Sequence, residues 1–253
     1  DMIKVCTDDT VRRFTDAVRT DKVYPQSITD NKQYGEIFAD RKDVPGAVLF
    51  WHYCGFAYIA GEPDESFLSD TAAMMKAPQG AHSGRLVLMA GKDEPAHSEV
   101  LLKSGVKTDE RYMFDYIGTQ ERFTLPDSRF ELKRTDHSNY GALTGRIVPA
   151  FSWRSEAEFL ENGFGFCIMH EGRAAACAFS AGISEQYCDI GVETAEEFRG
   201  MGLAKAAAQA MTDEIIARGL TPVWGCSVSN TASMRLACAV GFRVKGTHPV
   251  YHI

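Results

Sequence analysis

Apolar positions in the second half of the chain have the spacing of strands and tight turns. Residues 165–170 and 173–183 are apolar runs of strand length, and Glu171 and Gly172 between them are typical of a hairpin turn. A further strand is predicted over residues 186–194. This part of the chain therefore predicts consecutive strands with short connections.

A helix and another strand follow this group. The alanine-rich segment up to Arg218 is predicted to be a long helix that Gly219 closes, and residues 222–228 are predicted to form the next strand. A strand, helix and strand in this order need a crossover, so we expect parallel pairing here. A helix over residues 231–240 and a final strand over 242–245 complete the pattern.

Three more elements are predicted between residues 130 and 161. They are a short strand over residues 130–133, a helix over 136–148 and a helix over 155–161. Ser155 and Glu158 have the spacing of a capping box at the start of the last helix.

The first half of the chain mixes helical and strand spacing without a motif that indicates chemistry. The turn around Pro126 predicts a boundary between a smaller N-terminal α/β domain, residues 1–126, and a second domain, residues 127–253. The predicted fold class is α/β with a mixed sheet, and no internal sequence repeat is visible. Predicted helices in the first half cover residues 11–18, 66–76 and 95–103, and predicted strands cover 47–53, 56–60, 85–90 and 111–117.

The composition and charge of the chain indicate a globular protein and argue against nucleic acid and membrane as partners. The 253 residues are 45% apolar and 24% charged, as in a globular protein, and the net charge of −7 argues against nucleic acid as a partner. The longest uncharged stretch, residues 46–61, is too short to span a membrane, so no membrane partner is expected.

Cysteine and histidine usage bears on the compartment and on metals. Seven cysteines, an odd number without CxxC spacing, suggest a reduced protein in the cytoplasm. The histidines have no ligand spacing, so no metal site is expected.

The segment from Arg199 to Lys205 has the features of an anion site. The first amides of a helix have no partner within the helix, and the helix dipole adds partial positive charge there. Gly200 and Gly202 leave the backbone open, and Arg199 and Lys205 add charge. A diphosphate would fit, although two glycines in a strand-to-helix turn can also be purely structural.

Two motifs at matching spacing make residues 130–253 resemble the GNAT superfamily of acetyl-CoA-dependent N-acyltransferases. Residues 199–204 have the form R-x-x-G-x-A, typical of the superfamily's cofactor loop. Residues 230–242 have the form N-x-x-S-x-x-L-x-x-x-x-G-F and match its second conserved block. The whole chain looks like a bacterial branch that carries an α/β extension before the transferase domain.

The resemblance implies a set of residues that bind acetyl-CoA. The loop amides would hold the pyrophosphate, and the backbone of Val192 would pair with the pantetheine arm and the acetyl carbonyl. Asn230 would contact the cofactor arm. The strand with Val192 would diverge from the strand over residues 222–228 to admit the thioester. The implied cofactor-binding residues are Val192, Arg199, Gly200, Met201, Gly202, Leu203, Ala204, Lys205, Asn230 and Ser233.

One position departs from the family pattern. Many members have a tyrosine, seven residues after the motif asparagine, that protonates the leaving thiolate, and this chain has Ala237 there. The thiol of neighbouring Cys238 is expected in the core, and Tyr187 and Tyr251 remain as alternative acids.

Two carboxylates on the strand before the loop are the candidate catalytic bases. Strand alternation places Asp189 and Glu193 on one face together with Gly191, where both could face the substrate. In the structural alternative, Asp189 is solvated or salt-bridged, and Glu193 simply begins an acidic loop with Glu196 and Glu197.

The predicted function is transfer of an acetyl group from acetyl-CoA to a primary amine on a small molecule. The acidic chain suits a cationic acceptor, such as a polyamine-like metabolite or an amino-bearing antibiotic. The alternatives are a catalytically weak acyl-CoA sensor or scaffold, and a dinucleotide enzyme, which the absence of a G-x-G-x-x-G motif disfavours. The N-terminal part could supply the acceptor pocket, a homodimer surface or a degenerate copy of the second domain.

Overall fold

The computed structural model describes residues 2–79, 84–91 and 95–253, without the side chains of residues 95 and 96. The helices are α1 Asp9–Phe14, α2 Val23–Thr29, α3 Glu65–Lys76, α4 Pro95–Lys103, α5 Glu156–Asn162, α6 Leu203–Ala217 and α7 Thr231–Ala239. The strands are β1 Ile3–Val5, β2 Gly35–Ala39, β3 Ala47–His52, β4 Phe56–Gly61, β5 Val87–Met89, β6 Lys107–Tyr116, β7 Phe130–Arg134, β8 Gly165–His170, β9 Arg173–Ile183, β10 Tyr187–Thr194, β11 Thr221–Val223, β12 Gly225–Ser227 and β13 Phe242–His252.

The second half forms a five-stranded sheet in the order β11-β10-β9-β8-β7. Strands β7 to β10 pair antiparallel, and β11 joins β10 in parallel after the α6 crossover. At the β8–β9 turn, Glu171 and Gly172 have φ of 49° and 80°, which the hairpin requires. The predicted hairpin and the predicted parallel pairing are both confirmed.

An eight-stranded sheet crosses the boundary predicted at residue 126. Its order is β1-β2-β3-β4-β5-β13-β6-β12. Strands β12 and β13 follow residue 126 in sequence, yet both pair antiparallel with β6, which precedes it. The two parts of the chain therefore share one sheet, whatever their independence as domains.

The two halves repeat one arrangement that is not visible in the sequence. In each half, four antiparallel strands lead into a crossover helix and a fifth strand parallel to the fourth. The helices are α3 in the first half and α6 in the second, and the parallel pairs are β4–β5 and β10–β11.

Packing of α6 fixes the position of its N-terminus. Leu203, Met211 and Ile215 are fully buried against the five-stranded sheet, and each such side chain contributes about 1.5–3 kcal/mol. Alanines at residues 206–208 are also buried and let the helix lie close to β9 and β10. The start of α6 therefore lies next to the end of β10.

The predicted helix over residues 136–148 is wrong. The only helical element within this range is a single 3₁₀ turn over residues 140–142, and a second 3₁₀ turn follows it over residues 149–151. Asn139 Oδ1 accepts from the Asp136 amide at 3.0 Å, and Asp136 Oδ1 accepts from the Ser138 amide at 2.8 Å. These side chains bond the backbone locally and so compete with a helix.

Other elements differ less from the predictions. The strand predicted over residues 222–228 is broken at Trp224 into β11 and β12, and the final strand extends to His252. Helix α2 was not predicted, because all of its residues are buried and it has no polar face to give a helical period. At α5, Ser155 Oγ accepts from the Glu158 amide at 3.1 Å, as the capping box predicts.

Within the described residues, none of the helices is both long enough and apolar enough to span a membrane.

Candidate active site

The cleft begins where β10 and β11 separate. Their parallel pairing covers only residues 187–189 of β10 and 221–223 of β11. After Trp224 the chain turns away, and β12 pairs with β6 in the other sheet. The rest of β10 has no strand neighbour on this side within the described chain. This geometry matches the divergence that the family resemblance implied.

A cleft of about 1040 Å³ lies where β10 and β11 separate. It is lined by the second part of β10, the N-termini of α6 and α7, and residues from the first half of the chain. Of the predicted cofactor residues, Met201 is exposed outside the cleft, and the others line it: Val192, Arg199, Gly200, Gly202, Leu203, Ala204, Lys205, Asn230 and Ser233.

Backbone amides at the start of α6 face the cleft without partners. Gly200 and Gly202 both have φ of 80°, and a Cβ added to either would meet open space. No side chain caps α6, and in the described structure the amides of residues 200–204 have no hydrogen-bond acceptor. Together with the exposed cations of Arg199 and Lys205, they can bind a diphosphate.

The N-terminus of α7 forms the opposite wall. Asn230 Oδ1 accepts from the Ser233 amide at 3.0 Å and so caps the helix. Ser233 Oγ in turn accepts from Trp224 Nε1 at 3.0 Å. These bonds fix Trp224 at the point where the strands separate.

Asp189 lies at the floor of the cleft with one oxygen unpaired. The residue as a whole is 9% exposed, and Oδ2 accepts from the Tyr24 hydroxyl at 2.6 Å. Oδ1 is buried and has no hydrogen-bond partner among the described residues. Burial raises the pKa of Asp189 to about 7, against the opposing effect of the Tyr24 hydrogen bond. A carboxylate with this pKa can accept a proton near neutral pH.

The Tyr24 hydroxyl keeps its proton near neutral pH and therefore remains a hydrogen-bond donor to Asp189. Burial raises the pKa of its hydroxyl well above the usual value, and the charge of Asp189 raises it further. Asp21 lies beyond Asp189 in a small adjoining chamber that also includes Tyr24, and burial raises the pKa of Asp21 to about 6.

Glu193 also lines the cleft, but its carboxylate holds a loop. Oε2 accepts from the amides of Arg146 and Ile147 at 3.1 and 2.8 Å. A Cβ on Gly145 would lie 2.7 Å from Glu193 Cγ, so the loop packs directly on this side chain. Its role as a base stays a prediction.

A bulge alters the strand alternation that was expected for β10. The register with β9 shifts between Asp189 and Ile190, and every residue from 189 to 193 lines the cleft.

The alternative acids lie elsewhere. Ala237 is buried, Tyr187 packs with the apolar cluster of the first half, and Tyr251 is buried in a second cluster there. Neither tyrosine lines the cleft. Cys238 is exposed on α7, so the expectation that its thiol lies in the core is wrong.

Several residues from the first half line the cleft without any signal in the sequence. They reach the cleft only because the sheets pack together, and no local motif marks them. They are Tyr24, Phe56, Arg85 and Arg111.

Comparison with known proteins agrees with this geometry. The sequence matches the GNAT acetyltransferase family over residues 17–251, and the chain belongs to that family. It is therefore an N-acetyltransferase-family protein, an acyltransferase class whose donor is acetyl-CoA.

Individual relatives cover nearly the whole chain. The sequence is 26% identical to the uncharacterized N-acetyltransferase YdfB of Bacillus subtilis (strain 168), over 89% of this chain and 88% of that protein. The fold is similar to a GCN5-related N-acetyltransferase-like protein from Streptococcus suis 89/1591, with a TM-score of 0.68 and 23% identity over 86% of this chain and 88% of that one. It is also similar to a tandem GNAT protein from the clavulanic acid biosynthesis pathway, with a TM-score of 0.63 and 10% identity over 99% and 97% of the two chains.

Proposed function

We propose that the protein transfers the acetyl group of acetyl-CoA to the primary amine of a small molecule, by direct attack within a ternary complex. The proposal rests on the observation that two features lie in the same cleft. The unpartnered amides of residues 200–204 can bind a diphosphate, and the buried, unpaired Oδ1 of Asp189 can accept a proton.

Acetyl-CoA, when bound, supplies an activated thioester as the acetyl donor. Gly200 to Ala204 would hold its pyrophosphate through backbone amides, with Arg199 and Lys205 at the edge. The open edge of β10 around Val192 would align the pantetheine arm, because its backbone has no strand neighbour there.

Asp189 acts on the acceptor. Its Oδ1 would take the proton that the amine loses as the C–N bond forms and the thioester C–S bond breaks with release of the CoA thiolate. Tyr24 holds Oδ2 and fixes the carboxylate orientation. We assign this role to Asp189 rather than Glu193, because two backbone amides already occupy a Glu193 oxygen.

The proposal includes a cytoplasmic location. All seven cysteines are free thiols, which suits a reducing compartment.

Calorimetry with acetyl-CoA tests the donor site. The wild type should bind in the micromolar range, and Gly202→Glu should abolish binding through bulk and like charge at the amides. Gly172→Glu is a matched control, since Gly172 also has φ of 80° and open space around an added Cβ but lies in the β8–β9 turn. The control should bind as the wild type does.

A thiol-release assay with a panel of amines then separates an enzyme from a sensor. Transfer to an amine supports the enzyme, whereas tight binding without any acetyl transfer favours the acyl-CoA sensor. Absence of acetyl-CoA binding in the wild type would overturn the proposal.

A further inference from the structure

The wall of the cleft above Phe56 carries a group of arginines. Arg85, Arg111 and Arg146 all line the cleft. The guanidinium carbons of Arg85 and Arg111 lie 5.5 and 5.2 Å from the centre of the Phe56 ring, so both stack on this side chain. Arg85 also lies 5.5 Å from the centre of the Phe151 ring. The rings hold the two guanidinium groups at the cleft surface.

These arginines lack carboxylate partners in the part of the chain that the structure describes. Arg85 donates Nε to the carbonyl of Cys54 at 3.0 Å. Among the described residues, the ion pairs between arginine or lysine and a carboxylate do not include Arg85, Arg111 or Arg146. Many arginines outside the cleft do have such partners: Arg12, Arg122, Arg129, Arg134, Arg154, Arg173 and Arg218.

Their positive charges are only partly balanced, since Asp21 and Asp189 interact electrostatically with Arg111 but form no ion pair with it within the described residues. Burial lowers the pKa of Arg85, and the nearby charges of Arg146 and Arg111 lower it further. Arg111 Nη2 lies 3.2 Å from a Cβ built on Gly225, and Asp21 Oδ2 lies 3.7 Å from the same point, so the two groups are near each other without pairing. An unpaired, half-buried cation group favours binding of an anion.

This anion would lie close to Asp189 and far from the diphosphate loop. The rings of Phe56 and Tyr24 are 5.3 Å apart between centroids, and the Tyr24 hydroxyl bonds Asp189. From Asp189 to Thr194, where β10 ends, the strand extends roughly 17 Å toward the α6 amides. Arg85 and Arg111 therefore face the reacting end of the cleft, where the acceptor must lie.

We propose that the acceptor is an amine that also carries a carboxylate, as in an amino acid, and that Arg111 and Arg85 bind this carboxylate while the amine meets Asp189. The inference rests on the proposed acetyl transfer and replaces the cationic acceptor suggested by net charge. A guanidinium binds a carboxylate through two parallel hydrogen bonds, which also orients the amine. Arg146, exposed at the rim, adds attraction for the anion.

Matched acceptor pairs test the inference. Each pair is an amino acid and the amine that lacks only its carboxylate, for example alanine with ethylamine and lysine with cadaverine. Release of CoA gives kcat/KM for each. We expect at least a tenfold preference for a carboxylate-bearing member, and we expect Arg111→Gln to reduce that preference by at least tenfold.

Further variants separate charge from folding. Arg111→Lys keeps the charge and should retain part of the preference, and Arg85→Gln should reduce it. Arg243→Gln, an exposed arginine on β13 outside the cleft, should leave the preference unchanged.

Three results would overturn the inference. One is equal or better turnover of the amines without a carboxylate. Another is a preference that neither arginine substitution changes. The third is a loss of acetyl-CoA affinity in Arg111→Gln that matches the loss in turnover, since the arginine would then serve the donor.

Binding of products provides a readout when no pair reacts. N-acetylalanine and N-ethylacetamide are titrated into the CoA-loaded protein by calorimetry, and the inference requires binding of the first and its loss in Arg111→Gln. Absence of N-acetylalanine binding contradicts it. Failure of the proposed function gives a different result, because the wild type would then either not bind acetyl-CoA or bind it and transfer no acetyl group to any amine of the panel, with or without a carboxylate.

Discussion

The two crossover helices share a topology but differ at their first turns. At α3, Asp64 Oδ1 accepts from the Phe67 amide at 2.8 Å, and Glu65 adds a second negative charge. At α6, Gly202 occupies the capping position and no side chain bonds the amides. The first helix start is closed by the protein's own carboxylate, and the second is left open to an outside anion.

The strands after these helices differ in the same way. Strand β5 has neighbours on both sides, β4 and β13, so the first sheet has no gap at this point. Strand β11 ends at Val223, and the sheet separates at Trp224. Strand β4 carries no carboxylate, whereas β10 carries Asp189 and Glu193. The same arrangement is thus capped and fully paired in the first half, and open in the second half, where we propose that it binds the donor.

The largest effect is expected at Asp189, one of the two carboxylates that β10 has and β4 lacks. Asp189→Asn should lower kcat about 10²–10⁴-fold, because it removes the proposed proton acceptor and keeps an oxygen for the Tyr24 hydroxyl. Steady-state kinetics measures the loss. Acetyl-CoA affinity should stay within threefold of the wild type. An unchanged kcat would show that the amine loses its proton by another route.

An aspartate cap at the start of α6, like the one that Asp64 provides in α3, should remove the proposed donor site. Gly202→Asp places a carboxylate at the amides, as Asp64 does in α3, and should weaken acetyl-CoA binding by about 100-fold or more, measured by calorimetry. Gly172→Asp, at the same φ, is the control. Wild-type affinity in Gly202→Asp would mean that these amides do not bind the donor.

The pH dependence of turnover should report the environment of Asp189. Because its pKa is raised to about 7, kcat/KM should rise with pH up to about 7 and then level off. Asp21, with a pKa of about 6, lies near enough to couple, so the midpoint belongs to the pair. A profile that is flat between pH 5 and 8 would argue against a carboxylate base.

The free energy of unfolding should fall as pH rises, whereas kcat/KM should rise. A carboxyl with a raised pKa in the folded state stabilises the protein fully below the unfolded value near 3.8, and this contribution is lost as pH rises to about 7. Urea unfolding should therefore show the wild type losing stability over this range relative to Asp189→Asn. A constant difference between the two proteins would contradict the raised pKa.

The smallest effect is expected at α3, the helix that Asp64 caps. Asp64→Ala should lower the free energy of unfolding by about 1 kcal/mol, because the Phe67 amide loses its acceptor. Acetyl-CoA affinity should not change. A measurable change in affinity would mean that the first crossover contributes to the donor site.

Local sequence patterns predicted the residues around the proposed donor site. The R-x-x-G-x-A loop, the strand before it and the asparagine-capped α7 are each specified by residues close together in sequence, so spacing alone could place them. The helix predicted over residues 136–148 failed for a local reason too, since Asp136 and Asn139 bond the backbone in place of a helix.

The acceptor side could not be predicted in this way. Tyr24 and Asp189 are 165 positions apart, and they meet because α2 packs on β9 and β10. Arg85 and Arg111 reach the same wall through the pairing of β4, β5, β6 and β13. Such contacts depend on sheet order, which residue spacing does not encode.

The position of β13 also sets the order of events during synthesis. This strand lies between β5 and β6, and it leaves the ribosome about 130 residues after β6, at roughly 5–20 residues per second. During those seconds the first sheet has an unfilled place, with the edges of β5 and β6 open to other strands. The nascent chain is therefore exposed to mispairing until β13 takes its place between β5 and β6.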